Sequence, residues 1–168
     1  MTWIVHNLWL IPGMPLLAAG ISALLKQRSR AIAASLAIGA MGASLLLSLY
    51  AFTQVWSLID RGQGARQVFN FPWFQFGTES LKLGWILDPL TAVMLVMVTF
   101  VGILIFIYSV GYMAHNENFT RFFCFLSLFA GAMLGVILAN SLLLLFMNWE
   151  LVGLASYLLI GFWYHKPS

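Results

Sequence analysis

Along the chain, long apolar runs alternate with short clusters of charge. Residues 1–25, 31–59, 89–116 and 122–149 contain no Asp, Glu, Lys or Arg, and neither does 151–165. A helix that crosses a bilayer needs about 20 predominantly apolar residues, each rising about 1.5 Å. The first four runs are each long enough for one such helix. The stretch 122–165 holds a single charge, Glu150; as one straight helix it would run roughly 66 Å, about twice the hydrocarbon thickness. It must therefore be two spans, and Asn140-Ser141 is the most polar place to turn. The pattern thus predicts five helices, at 8–25, 32–56, 89–113, 122–139 and 141–164. The cations Lys26, Arg28 and Arg30 follow the first run instead of preceding it, which argues against a cleaved signal peptide. Runs of this length suit helices and not the shorter alternating strands of a membrane barrel.

The polar stretch between Asp60 and Asp88 has a pattern of its own. Val68-Phe69-Asn70-Phe71-Pro72-Trp73-Phe74-Gln75-Phe76 and Leu81-Lys82-Leu83-Gly84-Trp85 alternate partially on either side of Gly77-Thr78-Glu79-Ser80. This reads either as a β-hairpin with a four-residue turn or as an aromatic interfacial loop. Pro72 confines its strand to an edge, and a lone hairpin is marginal in water, so it is expected to lie on the helices or on a partner. The chain then divides into 1–59 with two spans, the extramembrane segment 60–88, the third span with its loop at 89–121, and the last two spans at 122–168. The fold class is all-α integral membrane, with a hairpin-like loop between the second and third helices.

Charge sets the expected orientation. Five spans put Lys26, Arg28, Arg30, Arg121 and Lys166 on one side, and Arg61, Arg66 and Lys82 on the other. The positive-inside rule assigns the first group to the cytoplasm, so the N-terminus and the loop 60–88 are expected outside and the C-terminus inside. Composition agrees with a membrane protein: 62% of residues are apolar and only 8% charged, which excludes a soluble domain and a disordered chain. Eight scattered cations make no basic stripe, so nucleic acid is not an expected partner and the lipid bilayer is. One cysteine, Cys124, permits neither an internal disulfide nor a zinc cluster.

Candidate chemistry concentrates at Glu150. It falls about nine residues into the last predicted helix, roughly 14 Å below its start, where an ionised carboxylate costs at least a few kcal/mol. Such a group either carries protons, coordinates an ion, pairs with a cation on another helix, or acts as protonated glue between helices. The remaining membrane positions offer no Lys or Arg, so a cationic partner is expected elsewhere. Gly153 and Leu154 share its face, as does Tyr157, with Phe146 and Met147 behind it. Gly153 would let a helix or a water file approach, and Tyr157 could extend a hydrogen-bond chain or anchor the helix at the interface. Asn148 and Ser156 point elsewhere and could bind neighbouring helices. Asp88 before Pro89 is expected to cap the third helix. His6, His115 and His165 read as solvated helix-end residues, and Gly131-xxx-Gly135 as a weak small-residue packing motif. There is no phosphate loop, metal-ligand spacing, haem motif or nucleophile–base pair.

Asn148-Trp149-Glu150-Leu151-Val152-Gly153-Leu154-Ala155-Ser156-Tyr157-Leu158-Leu159-Ile160-Gly161-Phe162-Trp163-Tyr164 closely resembles the W-E-G-V-G-L-x-S-Y-L-L-I-G-F-W/Y segment of the L subunit of respiratory complex I, bacterial NADH–quinone oxidoreductase. Leu87-Asp88-Pro89-Leu90-Thr91 resembles that family's L-D-P-L-S/T. Tyr108-Ser109-x-Gly111-Tyr112-Met113 and Arg121-Phe122-Phe123 resemble its Y-S-x-G-Y-M and R-F-F, and Ile11-Pro12-x-x-Pro15-Leu16 its first helix.

The resemblance implies that Glu150 is the fifth-helix glutamate of an antiporter-like proton channel, paired in that family with a lysine on a later helix. It implies other membrane subunits as partners, especially neighbouring antiporter-like subunits, and a bacterial cytoplasmic membrane. NADH, FMN, iron–sulfur clusters and quinone would bind other subunits, with no cofactor in this chain. Family members continue for many more helices, so the chain is expected to be an N-terminal piece without a complete proton path. The Trp149-Glu150-Leu151 variant also occurs in the A subunit of Mrp-type antiporters, which leaves a cation/proton antiporter as the first alternative and a non-transporting membrane scaffold as the second.

Overall fold

The computed structural model describes residues 3–163. It is mostly helical: α1 (Trp3–His6), α2 (Leu10–Leu24), α3 (Arg30–Asp60), a hairpin of β1 (Gln67–Phe76) and β2 (Glu79–Leu87), then α4 (Pro89–Tyr112), α5 (Phe119–Leu138) and α6 (Leu142–Ile160), closed by a 3-10 turn at Gly161–Trp163. Four helices, α3 to α6, are long and apolar enough to cross a membrane. The first expected span, 8–25, is shorter than expected: α2 has 15 residues, about 22 Å. Tyr164, His165 and Lys166 lie outside the described residues.

The shortening of α2 has a local cause. Pro12 has no N–H to give to the Leu8 carbonyl; that carbonyl accepts instead from Ile11 N at 3.1 Å, a tighter i→i+3 bond. Asn7 Nδ2 donates to Trp3 O at 3.0 Å, a side-chain competitor for the helical ladder. The chain therefore turns between His6 and Leu10. Pro15, inside α2, frees the Ile11 carbonyl in the same way. Here the remedy comes from another helix: buried Ser44 of α3 donates its hydroxyl to Ile11 O at 2.7 Å. Other buried hydroxyls bond backward along their own helices, Ser48 to Ser44 O and Thr99 to Leu95 O, both at 2.7 Å.

Helix α5 is the centre of the bundle, touching α2, α3, α4 and α6. The core between these helices includes Ile11, Met41, Leu95, Phe106, Phe123 and Leu134, all essentially inaccessible. Gly131 and Gly135 both permit close helix contact, but against different neighbours. A Cβ at Gly131 would overlap Leu16 of α2, and one at Gly135 the Asn148 amide of α6. The small-residue spacing on α5 thus serves two interfaces, one turn apart along the same face of the helix.

The hairpin is antiparallel, with Phe76 paired to Glu79 across a two-residue turn, Gly77-Thr78. A four-residue turn was expected; strand β2 instead begins at Glu79, because Gly77 takes φ +59 and so closes the turn with two residues. A bulge between Pro72 and Phe74 leaves Trp73 without a partner position. The base of the hairpin is bound to the helices. Trp85 Nε1 donates to Val5 O at 2.9 Å, and Asn140 N to Gly84 O at 2.9 Å. Asn140 Nδ2 donates to Asn70 Oδ1 at 2.7 Å. Phe69 stacks on Trp85 at 5.5 Å, and His6 meets Phe69 edge-on at 4.7 Å. The α1 segment, the hairpin and the α5–α6 turn therefore share one end of the bundle. The other end carries Lys26, Arg28, Arg30 and Arg121, where Arg30 Nη1 donates to Ala114 O at 2.8 Å.

Replacing Ser44 with Ala orphans a buried carbonyl, which is expected to cost about 1–3 kcal/mol of stability. Denaturant unfolding in detergent micelles, followed by tryptophan fluorescence, measures it. In a Pro15→Ala background the restored N–H reaches Ile11 O, so the same Ser44→Ala change should cost clearly less.

Candidate functional site

Ser141 opens α6 as its N-cap, its hydroxyl accepting from Leu144 N at 3.2 Å. Glu150 is the ninth residue of this 19-residue helix, about 12 Å from its start and so at mid-length. The rotation of α6 is set by its contact with α5. Asn148 packs over Gly135 and returns its amide to Leu144 O at 2.9 Å. Ala155, seven residues on and on the same helical face, is the one buried residue of α6 among those described.

Glu150 lies two residues from Asn148, some 200° around the helix, on the opposite face. It is exposed at the surface of this chain. So are its neighbours on that face: Phe146, Met147, Leu154 and Tyr157 at 59, 41, 50 and 73%. Gly153 has open space where a side chain would stand. The structure therefore gathers Glu150, Gly153 and Tyr157 on one face. It does not bring Glu150 and Tyr157 into contact; seven residues separate them by about 10 Å along the axis. Among the described residues no hydrogen bond or ion pair reaches Glu150.

Asp88 is separate from this site. It is the N-cap of α4, its Oδ1 accepting from Thr91 N at 2.7 Å with Pro89 following. His6 and His115 are exposed at opposite ends of the bundle; His165 lies outside the described residues. An apolar groove of about 310 Å³ between α3, α4 and α5, lined by Met41, Met97, Gly102, Phe106, Ala130 and Met133, offers no titratable group. Among the described residues no three His, Cys, Asp or Glu side chains gather as a metal site.

Sequence reasoning missed the residues that hold this arrangement: Ser44, Gly84, Trp85 and the tie between Asn70 and Asn140. For Ser44 the signal was Pro15, whose missing N–H leaves a carbonyl in need of a donor. For Gly84 it was a glycine inside an aromatic strand, which marks close backbone approach; a Cβ there would overlap Asn70 and the Phe69 carbonyl.

Two protein families match. One, described as NADH-ubiquinone oxidoreductase (complex I), chain 5 N-terminus, covers residues 73–123. The other, NADH:quinone oxidoreductase/Mrp antiporter, transmembrane, covers 139–168. Among curated proteins, the chloroplastic NAD(P)H-quinone oxidoreductase subunit 5 of Zygnema circumcarinatum is 40% identical over 164 residues, 95% of this chain and 23% of that protein. The counterpart from Mesostigma viride is 43% identical over 95% of this chain and 25% of its own length. NAD(P)H-quinone oxidoreductase chain 5 of Synechocystis is 39% identical, over 95% and 24% respectively. The chain thus spans about a quarter of the length of these relatives. Together these matches support the antiporter-like membrane-subunit family of complex I. The relatives carry the designation subunit 5 or chain 5, not L.

Among solved structures, a chain of the membrane-bound sulfane sulfur reductase, an archaeal respiratory membrane complex, superimposes with a TM-score of 0.67. It covers 95% of this chain and 23% of that one at 17% identity, a likeness of fold alone.

A Cβ at Gly135 would force the Asn148 amide off Leu144 O. Gly135→Ala is therefore expected to lower unfolding stability by about 1–3 kcal/mol, and adding Asn148→Ala should return part of that loss, a coupling read by a double-mutant cycle.

Proposed function

We propose that this chain is a proton-translocating membrane part of an NAD(P)H–quinone oxidoreductase, of the antiporter-like L type, with Glu150 as its intramembrane proton-carrying carboxylate. The observation that carries the reading is the placement of Glu150. A single carboxylate stands at mid-length of an apolar helix, on a face that α5 leaves open. A charge at that depth costs a few kcal/mol unless a cation, water or hydrogen bonds meet it. Among the described residues nothing does, so its partner is a group on the surface that covers this face, a lysine by the family resemblance.

Protonation switches such a carboxylate between an acceptor that attracts a cation and a neutral hydroxyl donor that does not. A cation moving toward or away from Glu150 would thereby change its proton affinity, and this is the step that couples a distant redox event to proton uptake and release. Gly153 leaves room for water beside the carboxylate, and Tyr157 offers a hydroxyl nearer the charged end of the bundle. NADH, FMN, iron–sulfur clusters and quinone belong to other subunits in this reading. Neighbouring antiporter-like subunits and the lipid bilayer are the direct partners. The positive-inside rule puts the hairpin outside a bacterial cytoplasmic membrane and the end bearing Lys26, Arg28 and Arg30 in the cytoplasm.

The description of the second matching family also names Mrp antiporters, so cation/proton exchange without redox coupling is the rival reading. The relatives' names favour the oxidoreductase.

In membrane vesicles holding the complex that contains this chain, Glu150→Gln is expected to cut NAD(P)H-driven proton uptake about tenfold or more, equivalent to ~1.4 kcal/mol on the limiting barrier. Glu150→Asp should keep a substantial part. A pH-sensitive dye reports uptake, and quinone reduction is followed in parallel. Unchanged pumping by Glu150→Gln in an assembled complex would sink the carboxylate role and leave a scaffold. Uptake driven by an imposed Na⁺ gradient, without quinone reduction, would instead establish the antiporter.

A further inference from the structure

We propose that the cleft between the end of α2 and the first turn of α5 binds a phosphate group at the membrane surface, borne by a lipid headgroup or by free phosphate. The cleft measures about 270 Å³ and is lined by Ser22, Gln27, Thr120, Arg121, Cys124 and Phe125, among others. That is room for several water-sized groups. Two of its polar side chains are already committed. Thr120 donates its hydroxyl to Gln27 O at 3.2 Å, and the Cys124 thiol lies on Ala19 O at 3.3 Å. These bonds hold the α2–α3 turn and α2 against α5, so the cleft is formed in advance.

Two others are free. Ser22 is 2% exposed, and its Oγ has no hydrogen-bond partner among the described residues. Leaving a buried hydroxyl unpaired is costly, and a ligand oxygen in the cleft would remove that cost. Arg121 lies with its guanidinium carbon 5.3 Å from the centroid of the Phe125 ring. Held over the ring, the guanidinium keeps N–H groups available for a planar or tetrahedral oxyanion. No ion pair to a described carboxylate occupies it. Both free groups can donate a hydrogen bond to the ligand, and one is a permanent cation, so the site selects an anion over a cation or a neutral amide.

Depth agrees with this chemistry. Arg121 is the third residue of α5 and Ser22 the third from the end of α2, which puts both at the headgroup level of a bilayer. Lys26, Arg28 and Arg30 lie in the adjoining turn and the start of α3, raising the local potential for anions. The proposal also gives a role to the arginine of Arg121-Phe122-Phe123, which the reading of Glu150 leaves unused.

The test is lipid retention by the purified full chain, measured by native mass spectrometry after exchange into detergent with phosphatidylglycerol. Arg121→Gln should lower retention about tenfold or more, as expected for loss of a charge-assisted bond, and Ser22→Ala about threefold. Arg66→Gln, the same charge change at the hairpin end, should leave it unaltered. A parallel titration with inorganic phosphate alone separates the sources. Arg121-dependent binding there assigns a free anion, and dependence only with phosphatidylglycerol assigns a lipid; either supports the site. Equal binding by wild type, Arg121→Gln and Ser22→Ala in both arms overturns it. Should Arg121→Gln fail to fold, the small Ser22→Ala change carries the test.

Discussion

A backbone N–H or C=O buried away from water can be satisfied only by another protein group, and the tertiary structure of this chain is organised around the places where a helix or strand cannot do that alone. Pro15 deprives the Ile11 carbonyl of its helical donor, and Ser44 of α3 supplies one. The Gly84 carbonyl at the base of the hairpin takes the Asn140 N–H from the α5–α6 turn. The Val5 carbonyl takes the indole N–H of Trp85. Each tie joins elements distant in sequence: α2 to α3, hairpin to α5–α6 turn, hairpin to α1. Apolar packing alone would hold these helices together without fixing their register, since lipid is as apolar as their side chains. The hydrogen bonds fix it.

The consequence reaches Glu150 through one further contact. The Asn140 tie holds the start of α6, and Asn148 over Gly135 sets its rotation. With those two fixed, helical geometry alone turns the carboxylate away from α5. The degree of burial separates α6 from the rest: 44% of the apolar window of α5 is buried within this chain, against 6% for α6. A helix seated so lightly leaves most of its surface free for contact elsewhere. The carboxylate and that open face are therefore one feature, because an ionisable group in lipid is tolerated only where something covers it.

Much of this was legible in sequence, for physical reasons that also mark its limit. Charge-free runs predict spans because a charge in lipid is expensive, and four such helices are present. Asp88-Pro89 predicts a cap because both residues act within one turn, and Oδ1 of Asp88 does accept from Thr91 N. Local chemistry is written locally. The length of α2 was misjudged because its end is decided by prolines that interrupt an otherwise apolar run, and composition does not register a missing N–H. The hairpin turn was placed two residues too long, since glycine allows a positive φ without dictating how many residues close the loop. The rotation of α6 was legible in part: Asn148 was expected to turn away from Glu150 toward a neighbouring helix, and it packs on α5, but helical spacing does not say which helix receives it. That depends on Gly135, on another helix.

The two ends of the bundle differ in a way that joins these points. At the hairpin end the polar groups of the backbone find one another through Gly84, Trp85 and Asn140, and the structure is closed. At the opposite end Thr120 and Cys124 close part of the α2–α5 boundary, but the Ser22 hydroxyl and the Arg121 guanidinium remain without acceptors. The buried Ser127 hydroxyl of α5 is also unpaired, but only Ser22 lines a cleft together with an arginine, where an acceptor arriving from outside the chain would meet both groups. At the level of the headgroups the most abundant acceptor is phosphate. The same reasoning separates this end from Glu150: there the unmet group is an acceptor and calls for a cation, whereas here the unmet groups are donors and call for an anion.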